Sequence, residues 1–318
     1  MSRIFLAPME GLADALLRDL LTRVGGYDGA VCEFIRVSDS VLPARTFRRV
    51  CPELVNGGRT PSGTPVAVQL LGSCPARLGE TAARLAGLSP CAIDLNFGCP
   101  APTVNRHGGG AMLLDDPELL GRITESVRRA VPVSIPVTAK MRLGIRDTAR
   151  TVECAQALES GGADALVVHA RTKIEGYRPP AHWEWIARVR ERVAVPVIAN
   201  GEIWTVDDYQ HCRDVSGCTD VMLGRGAVAD PFLARRARVG KDVGETGDDW
   251  PELAHLLVEF WQRVRARLQA RHAPGRLKAW LCLLRRTYPQ ADDLYRRVRA
   301  CNDPDTVGAA LAAVAGRG

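Results

Sequence analysis

Ile4-Phe5-Leu6-Ala7-Pro8-Met9-Glu10-Gly11 is the stretch on which the fold turns. Its first four residues are a short apolar run suited to a buried strand, and the run ends in Pro8 and Met9. An open doubly wound sheet needs a glycine-rich turn after its first strand to serve as a dinucleotide fingerprint. None is present here. A closed barrel makes no such demand and places its active site where the strands end and the next loops begin. Outward from this run, similar short runs fall at 30–35, 66–71, 92–96, 137–141, 165–169, 195–199 and 220–223. Helical spacing occupies 12–24, 75–88, 117–131, 148–160, 183–193 and 206–215. Eight strands alternating with helices over about 240 residues predict an α/β fold, a (β/α)8 TIM barrel.

The polar run 240–249 reads as a linker, with helical patterning beyond it at 250–270, 275–287 and 291–301 and a last helix from 303 to about 314. The expected division is a catalytic barrel over 1–240 and a small all-helical C-terminal domain over 241–318. Charge divides the same way. The 318 residues carry 42 Lys and Arg against 36 Asp and Glu, a net +6. Between Trp261 and Ala300 lie eleven basic residues, opposed only by Asp292 and Asp293, so this window is +9 and the remainder −3. An imbalance of that size in forty residues lacks the alternating signs of an ordinary solvated helix face.

Composition excludes several classes. No run of eighteen apolar residues spans a bilayer, and the N-terminal apolar run is too short for a secretory signal. The ten cysteines show neither Cys-x-x-Cys nor zinc-like spacing, and the six histidines form no His-x-x-x-His pair, so no metal is expected. A cytoplasmic, monomeric protein with free thiols is the expectation.

Polar residues at strand ends carry the chemistry. Asp94-Leu95-Asn96-Phe97-Gly98-Cys99-Pro100 follows the fourth strand, placing Cys99 on a rim loop near Gly108-Gly109-Gly110. Cys99 is the candidate functional thiol; the other nine cysteines read as structural. Lys140, inside an apolar strand, needs either an electron-rich ligand or an internal carboxylate such as Asp94. His169 and Arg171 end the sixth strand. Asn200-Gly201-Glu202 and Gly224-Arg225-Gly226 end the last two, where barrels often hold a phosphate group.

These segments together resemble the tRNA-dihydrouridine synthases over essentially the whole chain. The matching motifs are Ala7-Pro8-Met9-Glu10-Gly11, Gln69-Leu70-Leu71-Gly72, the 94–100 and 108–111 segments, Lys140-Met141-Arg142-Leu143-Gly144, His169-Ala170-Arg171-Thr172, Asn200-Gly201-Glu202-Ile203 and Gly224-Arg225-Gly226. Glu33-Phe34-Ile35-Arg36-Val37, Glu202-Ile203-Trp204 and Gly275-Arg276-Leu277-Lys278-Ala279-Trp280-Leu281 are most similar to the bacterial subfamily acting on uridine 16 of tRNA. The resemblance implies FMN in the barrel, NADPH (or NADH) as reductant, and tRNA held by the helical domain. It implies that Ala7, Pro8 and Met9 line the flavin ring and that Gln69 and Lys140 bond its polar edge. His169 would lie against the ring, while Asn200, Gly201, Glu202, Gly224 and Arg225 hold the phosphate. Asn96 would orient the uracil and Cys99 would be the general acid. Arg36, Arg178, Arg276, Lys278, Arg285 and Arg286 would contact tRNA. Phe97 and Ala170 depart from the smaller residues frequent in the family, and Phe97 would alter packing beneath Cys99.

Reduction of the uracil C5–C6 bond needs a hydride at C6 and a proton at C5; a thiol that is protonated near neutrality suits the second task. Two rivals remain. An FMN barrel acting on a small pyrimidine gives no reason for the +9 window, and an RNA-binding scaffold gives none for Cys99, Lys140 and His169.

Overall fold

The computed structural model describes residues 2–38, 40–106, 108–241 and 249–315; most of the expected linker, 242–248, and one of the six histidines, His107, lie outside them. Strands β1 (Ile4–Leu6), β2 (Gly29–Val31), β3 (Ile35–Arg36), β4 (Val66–Leu71), β5 (Ala92–Phe97), β6 (Val137–Arg142), β7 (Ala165–His169), β8 (Val197–Asn200) and β9 (Val221–Leu223) are all parallel. β1 pairs with both β2 and β9, and β2 with β4, so the sheet closes on itself. Closure decides against the open doubly wound alternative.

The expected second strand, 30–35, is broken. Val31 faces Ala67 and Ile35 faces Leu70, so four steps on one strand match three on the other. The extra residue makes a bulge at Cys32-Glu33-Phe34 and turns Phe34 toward the barrel mouth. Glu33 accepts a hydrogen bond from the Gly11 N–H at 2.5 Å, tying this bulge to the loop after β1.

Outer helices α1 (Ala15–Val24), α2 (Ala44–Val50), α3 (Pro75–Ala86), α4 (Pro102–Asn105), α5 (Pro117–Ala130), α6 (Thr151–Ser160), α7 (Trp183–Arg190), α8 (Val206–Ser216), α9 (Arg225–Ala229) and α10 (Leu233–Val239) follow the strands. Helix α2 has no expected counterpart: of its seven residues only Phe47 is buried, so it shows no apolar period. Strand periodicity sorts two cores. Outward-facing residues pack under the helices in one large cluster, while Ala7, Val31, Val167, Ile198 and Met222 form a small apolar plug inside the barrel.

Beyond α10 the described residues form four further α-helices: α11 (Trp250–Arg267), α12 (Ala273–Leu284), α13 (Pro289–Val298) and α14 (Pro304–Ala315). Their apolar faces join the barrel's outer core in one continuous cluster. Trp280, fully buried, packs edge-on against Phe260 and donates to the Val228 carbonyl of α9 at 3.1 Å. Buried Arg236 lies between Asp230 and Asp249, and Tyr288 donates to Asp230 at 2.9 Å.

Trp280→Ala should remove a large buried side chain at this junction and cost about 3–5 kcal/mol. Urea denaturation followed by both tryptophan fluorescence and circular dichroism measures it. A loss confined to the helical segment, with the barrel transition unmoved, would show the two parts to be uncoupled.

Candidate active site

A cavity of about 510 Å³ opens at the C-terminal ends of the strands. Every residue expected at a cofactor lines it: Ala7, Pro8 and Met9 after β1, Gln69 on β4, Lys140 on β6 and His169 on β7. Asn200, Gly201 and Glu202 from β8 and Gly224 and Arg225 from β9 complete that set. Cys99 and Asn96 line the same cavity.

The strand register explains the convergence. Gln69 faces Asp94 across β4–β5, Asp94 faces Thr138 across β5–β6, and Asn96 faces Lys140. All point inward because alternate strand residues share a face. The ion pair between Lys140 and Asp94 that the sequence allowed is not formed. Lys140 Nζ instead donates to Asn200 Oδ1 at 3.0 Å, and Asn200 Nδ2 donates to the Met222 carbonyl at 2.8 Å. Asp94 accepts from Gln69 and Thr138. Burial, helped by neighbouring Arg142, lowers the Lys140 ammonium to about 8. Burial also raises the Asp94 carboxyl against its hydrogen bonds.

Cys99 is nearly buried and sits on a loop braced from several directions. Its N–H donates to Asn96 Oδ1 at 2.9 Å, and its carbonyl accepts from the Ala111 N–H and from Asn105. Burial pushes its thiol up, and Glu10 adds to the effect, so the sulfur is held in its protonated form near neutrality. Phe97 does not pack beneath it. That ring belongs to the outer core, on the opposite face of β5 from Asn96, whereas Cys99 packs with Leu71 and Val104. Ala170 has an ordinary backbone and is fully buried.

Two buried arginines tie the rim loops together. Arg142 donates to the carbonyls of Gly98 at 2.9 Å, Thr172 at 3.0 Å and Gly176 at 2.8 Å. Arg171 donates to the Arg178 carbonyl at 2.6 Å and pairs with Glu202. Glu202 has φ +55, a left-handed conformation unusual for a side-chain-bearing residue, and Trp204 Nε1 also donates to it at 3.0 Å. Burial would raise the Glu202 carboxyl, but the Arg171 and Trp204 hydrogen bonds outweigh it and hold it below the usual range. Gly201 (φ +122) lies so near His169 that a Cβ would meet the ring at 2.8 Å. Beside it Arg225 stays one-third exposed, facing Tyr177 and Trp204 at 4.6 and 5.1 Å from its guanidinium carbon.

Sequence reasoning assigned no part to Arg142, Tyr177 or Trp204. Arg142 shares its inward face with Lys140 two residues before, and strand alternation was the available signal. Tyr177 and Trp204 sit on loops without period. Two of the cysteines read as structural, Cys74 and Cys282, are exposed.

None of Arg36, Arg178, Arg276, Lys278, Arg285 and Arg286 lines the cavity. Arg36 donates to the Thr103 carbonyl, and Arg178 to carbonyls of its own loop. Arg276 is held by the loop after β1, donating to the Gly11 carbonyl at 2.6 Å and to Asp14 at 2.8 Å. Arg285 pairs with Asp292, and Lys278 bonds Asn302. Arg286 stacks on Trp204 at 3.9 Å, reaching the rim from the helical side.

Residues 5–313 match the family described as dihydrouridine synthase (Dus). The chain belongs to the dihydrouridine synthase family. A tRNA-dihydrouridine(16) synthase of Ralstonia nicotianae is 59% identical, with 95% of this chain and 93% of the relative covered. One of Aquipseudomonas alcaligenes is 56% identical over 98% of this chain and 99% of its own length. Among solved structures, 2-naphthoyl-CoA reductase has TM-score 0.55 at 11% identity, covering 75% of this chain and 50% of its own. Histamine dehydrogenase from Rhizobium sp. 4-9 has TM-score 0.54 at 14% identity, covering 75% and 46%. Both share the fold alone. Among the described residues no helix is long and apolar enough to cross a membrane, and no three His, Cys, Asp or Glu gather as metal ligands.

His169 offers a measurable signature. Burial and then the nearby Arg142, Lys140, Arg171 and Arg225 hold its imidazole well below 6.5. The unfolded chain therefore takes up more protons as pH falls below about 6.5, and stability is lost with acidification. The expected loss from this one group is up to about 1.4 kcal/mol per pH unit. His169→Gln should remove that increment, as measured by urea denaturation at about pH 7 and about pH 5. Equal acid sensitivity in both proteins would contradict a neutral buried imidazole.

Proposed function

We propose that the chain reduces the C5–C6 double bond of uridine 16 in tRNA to 5,6-dihydrouridine, using FMN in the barrel and NADPH as reductant. The observation that carries the reading is that the Cys99 thiol shares one cavity with the glycine loops at 201 and 224 and with Arg225. The relatives named for position 16, at 56–59% identity over most of the chain, support the site of modification.

The cavity fits a flavin mononucleotide in its chemistry and lies within the size range of cofactor sites. Gly201, Gly224 and Arg225 offer close backbone approach and a cation to a phosphate. The plug residues Ala7 and Met222, with Pro8 and Met9, offer an apolar wall to a ring, and Gln69 and Lys140 offer polar contacts at its edge. A reduced flavin bound there supplies hydride to uracil C6. Cys99 donates the proton to C5 and is left as a thiolate, which solvent reprotonates. Raising the thiol's pKa keeps that proton in place before the step. Asn96 orients the base, and the target nucleotide leaves its stack to enter the mouth. His169, held neutral, adds no charge against the ring.

In this reading residues 1–240 perform the chemistry and 241–318 hold the tRNA, as a monomer in the cytoplasm. Lys278 and Arg286, which form no ion pair among the described residues, are the contacts best placed to meet phosphates.

Two tests follow from the chemistry. Cys99→Ala should bind FMN yet lose dihydrouridine formation by about 100-fold or more, read by mass spectrometry of tRNA digests. Undiminished turnover removes Cys99 as the acid. Lys278→Ala combined with Arg286→Ala should weaken tRNA binding and lower its salt slope by about 1–2. Unchanged affinity would favour an enzyme of small pyrimidines.

A further inference from the structure

Among the polar groups beside the cavity, the Asp94 carboxylate has no part in the steps above. Asp94 is 1% exposed, on the inward face of β5. Its Oδ2 accepts from Gln69 Nε2 at 2.7 Å, and its Oδ1 accepts from Thr138. With Nε2 so committed, Gln69 presents Oε1 to Asn96, whose Nδ2 donates to it at 2.8 Å. Asn96 is thereby oriented as well. Its Oδ1 accepts the N–H of Gly98 at 3.0 Å and of Cys99 at 2.9 Å.

Every link in this series runs from donor to acceptor. Turning one amide over would set N–H against N–H or oxygen against oxygen. A carboxamide can face either way, whereas an ionised carboxylate only accepts and a backbone N–H only donates, so Asp94 at one end and the Gly98 and Cys99 N–H groups at the other give the whole series one direction. Asp94 and Gln69 are all but fully buried, so a mismatched polar pair between them costs more than it would in water.

We propose that Asp94 is a positioning residue: its carboxylate fixes the direction of the Gln69–Asn96 relay and so holds the backbone of Cys99 where the thiol faces the cavity. The inference rests on the reading of Cys99 as proton donor. A merely structural buried acid would lower stability when replaced, and nothing at position 96 would compensate. A directional relay behaves differently. In the double variant D94N/N96D the new amide at 94 donates to Gln69 Oε1, and Gln69 Nε2 donates to the new carboxylate at 96. That carboxylate still accepts the Gly98 and Cys99 N–H groups, so the relay is reversed but complete.

The readout is alkylation of Cys99 by iodoacetamide in the folded full-length protein, followed at that residue by peptide mass spectrometry, with kcat and KM for tRNA beside it. D94N should change the Cys99 alkylation rate by about threefold or more and lower kcat about tenfold, with KM little changed. The double variant should alkylate within about twofold of wild type; no recovery of turnover is required, because Asn96 itself meets the base. Wild-type alkylation in D94N, or a double variant no nearer wild type than D94N, overturns the proposal. Should D94N fail to fold, the double variant decides alone: it must fold and alkylate like wild type, and failure in either overturns the relay. A wild-type protein that leaves uridine unreduced would instead overturn the functional reading, with the alkylation comparison unaffected.

Discussion

A closed barrel seals its interior from water, so every polar side chain that points inward must find its partner there. An unmet buried donor or acceptor costs about 1–3 kcal/mol. In this barrel the inward positions of β1, β2 and β9 are apolar, and those of β4 to β6 include the polar Gln69, Asp94, Asn96, Thr138, Lys140 and Arg142. The polar half is satisfied in two series, one from Asp94 through Gln69 and Asn96 to the Cys99 loop, the other from Lys140 through Asn200 to the Met222 carbonyl. Because each member's direction depends on its neighbour, each series is held as a unit. The position of the Cys99 loop is thus tied to β4, β5 and β6 and is not a property of the loop alone.

The rim obeys the same constraint with larger groups. Arg142 and Arg171 are buried cations whose charge is met chiefly by loop carbonyls, and Arg171 also pairs with Glu202. A planar guanidinium can reach two or three carbonyls from different loops at fixed angles, which a lysine ammonium does not reproduce. The loops after β5, β7 and β8 are therefore mutually fixed. Arg142, Arg171 and Arg225 add positive charge to the same mouth, which both favours an anionic ligand and keeps His169 uncharged. The left-handed backbone at Glu202 persists because Arg171 and Trp204 hold its side chain.

Much of this was legible in the residues, for definite reasons. The barrel followed from period: β-branched runs such as 137–141 and 165–169 alternate with amphipathic helices, and Pro8-Met9 excludes a nucleotide turn. That Cys99, Lys140, His169, Asn200 and Gly224 line one cavity followed from the rule that barrel chemistry gathers at strand ends, whereas Ala7, Pro8, Met9 and Gln69 came with the family resemblance. What escaped depends on partners distant in sequence. The bulge at 32–34 exists only in register with β4, and α2 buries Phe47 alone. Trp204 and Tyr177 matter because Arg225 and Arg286 come to them. No local pattern encodes those meetings. Asp94 was read as a possible partner of Lys140, since charge suggests charge; the structure prefers to give each an amide.

The basic window shows why net charge overstates a binding surface. Arg263, Arg265, Arg276, Arg285 and Arg296 are ion-paired, and two of these, Arg263 with Asp19 and Arg276 with Asp14, fasten the helices to the barrel. Their charge is matched at the junction and contributes little to a long-range field. What it supplies is rigidity. Arg276 grips the loop that carries Met9 into the cavity, and Arg286 rests on Trp204 beside Arg225. The helical segment thus touches two rim loops, the one after β1 and the one after β8. A hinged arm would let a bound polyanion wander by several ångströms, enough to lose a reactive alignment. In the proposed reading, a helical segment clamped in this way carries the register of whatever its remaining cations hold to the rim loops around Cys99.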